Sequence, residues 1–113
     1  MKTMYAIYSN NLCRPVKQNE LKYGIDDMDI IDIVMEESQN DCLEELHSDV
    51  RIAKQKFYEY EKKSSTFIDN EGNLNAIIYW LEEVTFDEIK GSVVECEGTW
   101  LITGEGLAPN NEE

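Results

Sequence analysis

The sequence predicts an α+β fold: a mostly antiparallel sheet with a long amphipathic helix at about 41–63 and a shorter helix at about 26–38 on one face. Three observations predict it. Leu43, Leu46, Val50, Ala53, Phe57 and Tyr60 are spaced 3, 4, 3, 4, 3, the interval that aligns side chains along one side of a helix. Short runs rich in β-branched and aromatic residues, bounded by Gly and Asn, occupy much of the rest. The composition is 42% hydrophobic, enough to build a core in 113 residues despite a net charge of −14.

Thr3 to Ser9, with Tyr5, Ile7 and Tyr8, reads as the first strand. Residues 26–38 fit two patterns. Ile30, Ile31, Val34 and Met35 suit a helix capped by Asp26, whereas Met28 and Ile30 followed by Ile33 and Met35 suit a strand. The intervening acids favour an exposed helical face. For the 41–63 helix, Asn40 or Asp41 would cap the start. Glu44 and Glu45 would meet the positive end of the helix dipole, and Lys62 and Lys63 the negative end. Such a helix would run roughly 30 Å. Thr66 to Asp69 and Leu74 to Leu81 read as a hairpin turning at Asn70-Glu71-Gly72-Asn73. Leu74, Ile77, Ile78, Leu81 and Val84 also fit a helix. Ser92 to Cys96 and Thr99 to Thr103 read as a second hairpin about Glu97-Gly98. No internal repeat or Pro/Gly/Ser linker interrupts the chain, so residues 1–109 are expected to form one domain, followed by a short acidic tail at 110–113.

Charge excludes several roles. A surface with 24 Asp and Glu against 10 Lys and Arg repels nucleic-acid phosphates and anionic membranes alike. The longest apolar run, Ala76 to Leu81, is far shorter than the ~20 residues that span a bilayer, and the N-terminus carries no apolar signal segment. Cys13, Cys42 and Cys96 are odd in number and widely spaced, which fits free thiols in a reducing cytoplasm; Cys42 and Cys96 read as small buried hydrophobes.

Motifs that would name a reaction are missing. His47 is the lone histidine and reads as a position on the surface of the long helix, so neither a His-assisted nucleophile nor a Cys/His metal site is expected. Asp69 to Asn73 superficially suits a calcium loop, but Leu74 stands where the loop requires glycine and Trp80 where it requires glutamate. No phosphate-binding glycine loop occurs. No cofactor and no metal are expected.

What the sequence offers is an electrostatic argument. Residues 20–49 and 69–113 each carry eleven acids against one lysine, while residues 50–68 carry five Lys and Arg against two Glu. A charge of −14 exceeds the magnitude of about 2–8 that solubility asks of a small domain, and self-repulsion at that level opposes folding. A negative field of this size steers a basic partner into contact. On a helix, Asp29, Asp32 and Glu36 fall on successive turns about 6 Å apart, a spacing able to stand in for backbone phosphates. The expected role is therefore that of a small cytoplasmic inhibitor, not an enzyme, that binds a basic, nucleic-acid-acting protein. Immunity proteins of nuclease toxins and nucleic-acid mimics are similar in size and charge, though no motif is shared. Asp27, Asp29, Asp32, Glu36 and Glu37 would supply the field from the first half. Glu82, Glu83, Asp87 and Glu88 would supply it from the second, with Trp80 as an aromatic anchor. Trp100, between Thr99 and Leu101, reads as core. A carboxylate-based enzyme and an adaptor charged only for solubility are the alternatives.

Overall fold

The computed structural model describes residues 1–23, 27–38, 41–103 and 106–109, with side chains described except at 21–23, 27–29, 31 and 101–108. Its spine is a pair of long antiparallel strands, β1 (Lys2–Pro15) and β4 (Asn73–Asp87), matched without interruption from Lys2 opposite Phe86 to Pro15 opposite Asn73. The other strands are β2 (Cys42–His47), β3 (Ser65–Ile68), β5 (Ser92–Thr103) and β6 (Gly106–Pro109). The order is β2-β1-β4-β5-β6, with β3 also on β4, and every pairing is antiparallel. The helices are α1 (Gln18–Tyr23), α2 (Asp27–Glu37) and α3 (Val50–Glu61). The mixed α+β class and the antiparallel sheet agree with the sequence-based expectation, and so does a helix close to 26–38.

The long helix does not form. Residues 42–47 are strand β2, and the helix spans only Val50–Glu61, capped by Asp49, whose side chain accepts from the Arg51 backbone N–H at 2.8 Å. A bulge explains the misleading periodicity. The β1–β2 register shifts between Ile7 and Tyr8: Ile7 faces Glu45, but Tyr8 faces Leu43. The extra residue turns the two-residue repeat of a strand into a three-residue step, so Leu43 and Leu46 lie on the same sheet face as Tyr8 and Ala6. Spacing of three is also the helical interval, and the two patterns join smoothly at Val50. Glu44 and Glu45 consequently sit on a strand, and Lys62 caps the helix C-terminus instead of filling its last turn.

A second correction concerns the faces. Because β1 and β4 pair regularly, alternate residues divide strictly between two sides. Ile7 and Leu81, opposite each other, pack with Ala53 and Phe57 of α3, joined by Tyr5, Tyr60, Tyr79 and Trp100. Leu74 and Ala76 pack instead with Ile30 and Val34 of α2, joined by Leu12, Val16 and Ile78. The first set has odd numbers on β1 and β4, the second even. The two helices therefore cover opposite faces, where the sequence predicts one. A third cluster, Met4, Ala6 and Val84 with Tyr8, Leu46, Phe86 and Val93, occupies the rest of the even face.

Residues 74–84 are strand throughout, which settles their two-way reading. The first expected hairpin is present: Asp69 organises its turn, its Oδ1 accepting from the N–H groups of Glu71 and Asn73 and its Oδ2 from Asn75, while Gly72 takes φ +81°. The second is not. Residues 92–103 are one strand, and the turn lies earlier, where Gly91 takes φ +68° and the Asp87 carboxylate accepts from Ile89 and Lys90 N–H. Bulges between Glu83 and Val84 and between Thr85 and Phe86 let β5 continue through Gly98. The tail at 110–113 lies outside the described residues.

Polar tethers fasten α1 and α2 to β1. Arg14 reaches Glu20 at 2.7 Å and Glu37 at 2.8 Å, with side-chain exposures of 14% for Arg14 and 8% for Glu20. The Lys17 N–H adds a third bond to Glu20. The Arg14 guanidinium holds the Glu20 carboxyl down to about 2 against the resistance of burial. A carboxyl depressed on folding stabilises the protein fully above its unfolded value of about 4.3, and that support disappears as pH falls toward 2. Arg14→Leu should cost about 2–3 kcal/mol at pH 7, because Glu20 loses its cation while staying buried. In urea melts from pH 6 to pH 2, the variant should lose less stability on acidification than the parent. A parallel decline in both proteins would refute the assignment.

A comparable tie joins α3 to β2. The Tyr60 hydroxyl donates to Glu45, which also meets His47 Nε2 at 3.1 Å. His47 is thus on β2, not on a helix. The negative Glu45 acceptor pushes the Tyr60 hydroxyl up to about 12. A raised tyrosine supplies stability below its unfolded value of about 10 and loses it as pH rises through 12. Tyr60→Phe should cost about 1 kcal/mol at neutral pH and flatten the alkaline limb of the stability curve between pH 10 and 12. An alkaline limb unchanged in Tyr60→Phe would show that this bond is not formed.

Candidate functional site

The expected partner-binding residues do not form one cluster. Asp32 and Glu36 are exposed on α2, a helix that carries five acids and no base. The side chains of Asp27 and Asp29 lie outside the described residues. Glu37 is committed to Arg14, so it fastens the helix and offers less charge to a partner. In the second half, alternation along β4 separates neighbours: Glu82 shares the even face with α2, whereas Glu83 lies on the opposite face and hydrogen-bonds Tyr5. Asp87 holds the β4–β5 turn, and Glu88 is exposed within it.

The even face gathers a more specific constellation between α2 and the Met4–Val84 cluster. Tyr8 and Trp80 are paired across β1 and β4, and their rings stack at a centroid distance of 5.8 Å and an angle of 19°. Both are half-buried. The Trp80 Nε1–H donates to Glu82 Oε1 at 2.8 Å. Cys96 hydrogen-bonds the same carboxylate; burial and that negative acceptor push its thiol up to about 11. Burial, then the negative charges of Glu82 and Asp41, raise the Tyr8 hydroxyl above its ordinary value. Asp41 is in turn held by Asn10 Nδ2 at 3.0 Å, and Asn10 Oδ1 accepts from Ser38 at the end of α2. The site thus adjoins the acidic helix directly. Among the described residues no Lys, Arg or His forms an ion pair with Glu82 or Asp41.

Of this group, the sequence singled out Trp80 and Glu82 and missed Tyr8, Asn10, Asp41 and Cys96. Tertiary pairing alone reveals them: the β1–β4 register joins Tyr8 to Trp80, 72 positions apart in the chain, β5 brings Cys96 opposite Val84, and Asn10 holds Asp41. Trp100 packs in the α3 cluster, its ring edge-on to Tyr5 at 6.0 Å and covered by the Lys54 ammonium at 4.9 Å, as its core reading expects. Tyr79 lies against Tyr60 at 5.3 Å. All three cysteines are free and exposed, so Cys42 and Cys96 are not buried hydrophobes: Cys42 lies at the end of the β1–β2 pairing on an edge strand, and Cys96, opposite Val84, stays exposed with its thiol against Glu82.

Among the described residues no group of three or more His, Cys, Asp or Glu is placed to hold a metal ion. No described helix is long and apolar enough to cross a membrane. The two helices differ in charge, although Glu45 and Glu83 also lie on the α3 face. Residues 50–68, which include α3, carry five Lys and Arg against two Glu, whereas α2 on the other side carries acids alone. No family model matches the chain, and no curated protein or solved structure matches it either.

Proposed function

We propose that this chain is an inhibitor that binds and neutralises a basic, nucleic-acid-acting protein through the sheet face bearing α2. One observation carries the reading: α2 concentrates five acids and no base on a single helix, and Asp32 and Glu36 stand exposed on it. A charge placed only for solubility gains nothing from such concentration, whereas a steering field is strongest where negative charge is gathered on one exposed element. Asp32 and Glu36, one helical turn apart and exposed, are the residues best placed to meet a surface that ordinarily grips phosphates. Trp80 beside Tyr8 supplies the aromatic contact that interface energy favours.

The test has two stages. The immobilised chain should retain a basic protein from source-cell lysate at low salt and release it at high salt. That protein's activity on nucleic acid should then fall in proportion to added chain. Retention of no basic protein, or a captured protein whose activity is unaffected, would defeat the proposal.

A further inference from the structure

Resting on that reading, we propose that the Tyr8–Trp80 stack with Glu82 and Asp41 is a receptor for an arginine side chain of the partner. The half-buried carboxylate of Glu82 receives hydrogen bonds from the Trp80 indole and the Cys96 thiol, but among the described residues no cation pairs with it. A carboxylate drawn partly out of water, oriented by two donors and lacking a counterion, favours an incoming cation. Asp41, held by Asn10 at 3.0 Å, adds a second negative charge near enough to raise the Tyr8 hydroxyl.

The aromatic rings choose among cations. A guanidinium is planar and weakly hydrated, stacks on indole and phenol faces, and can still direct its N–H groups to a carboxylate. An ammonium is compact and strongly hydrated, so it loses more on entering the same place. The protein already shows the contact in another form, with Lys54 above Trp100 and Lys63 above Tyr60 on the opposite face. There the cation comes from this chain, while at Trp80 no described residue provides one. The neighbouring acidic helix would raise the local concentration of the basic surface that delivers the arginine.

Two peptides of equal length and charge, one of arginines and one of lysines spaced by glycine, serve as probes of the full chain. At fixed salt the arginine peptide should bind about fivefold more tightly, the weight of one partly desolvated cation–π contact. The Trp80 indole N–H resonance should shift on its addition, and that of Trp100 should not. Trp80→Leu should bring the two affinities together. Glu82→Gln, which retains an acceptor for the indole and nearly the same volume, should weaken arginine binding more than lysine binding. Asp32→Asn with Glu36→Gln should weaken both peptides alike and leave their ratio unchanged. Equal affinities in the parent with an unmoved Trp80 resonance would overturn the arginine site while leaving the acidic face intact. Binding of neither peptide would overturn both readings.

Discussion

Phe57→Ala is expected to remove about 3–5 kcal/mol of stability, a large share of the 5–15 kcal/mol typical of a domain. Phe57 is 3% exposed and, with Ala53, is the buried part of α3. Its ring fills the space above Ile7 and Leu81, both completely buried and directly paired at the centre of the β1–β4 spine. Removing it leaves a cavity that stiff neighbouring strands cannot close, which adds to the lost burial. The partly buried rings of Tyr5, Tyr60, Tyr79 and Trp100 that flank the cluster can close only part of the space. Scanning calorimetry should show the midpoint falling by roughly 10–20 °C. The exposed neighbour Gln55→Ala should change stability by no more than about 0.5 kcal/mol. A Phe57→Ala midpoint within a few degrees of the parent would mean that α3 does not dock where described.

Replacing Asp32 by Asn and Glu36 by Gln together should slow association with the captured basic protein about tenfold at low salt, with little change in dissociation. Steering acts over the distance that charges are felt before contact, about 10 Å at 0.1 M salt and about 3 Å at 1 M. The effect should therefore fade as salt rises, until parent and variant associate at the same rate. Both side chains are exposed, and neither enters a described ion pair, so the fold should keep its melting temperature. Glu37 is left unchanged because Arg14 depends on it. Surface plasmon resonance across a salt series separates the two rates. Equal association rates at low salt, or a salt-independent parent, would remove the electrostatic basis of the proposal. A reduced rate with unchanged stability would place the active field on α2, as distinct from the diffuse charge of the whole chain.

The Leu43–Tyr60 periodicity shows how a local signal can be correct at one end and misleading at the other. Val50 to Tyr60 is helical because Asp49 offers a cap and Ala53, Phe57 and Tyr60 repeat at the helical interval. Cys42 to His47 adopts the other structure open to it because β1 offers an edge with which to pair. The choice there is energetic and non-local: five of the six residues pair with β1, and Leu43 and Leu46 gain a sheet face, at the cost of a bulge at Glu44.

The candidate site divides in the same way. That Asp32 and Glu36 stand on the solvent side of a helix was legible, since Ile30 and Val34 mark the buried side four residues apart. That Glu82 and Glu83 would part company was implicit in any strand, but the sequence alone left 74–84 open between strand and helix. The partnership of Tyr8 with Trp80 was legible nowhere.

By itself, the sequence determined the class of fold and the hairpin at Asp69–Gly72, and it favoured, without deciding, the acidic helix near 26–38. Each depends on composition, on nearest-neighbour spacing or on turn chemistry, all of which act within a few residues. Only the tertiary structure decided where the long helix would yield to β2, that α2 and α3 would take opposite faces, and that Tyr8, Asp41, Trp80, Glu82 and Cys96 would meet. Those outcomes follow from the pairing of β1 with β2 and β4 and of β4 with β5, whose registers fix the facing residues and depend on burial summed over whole strands, a quantity no local window contains.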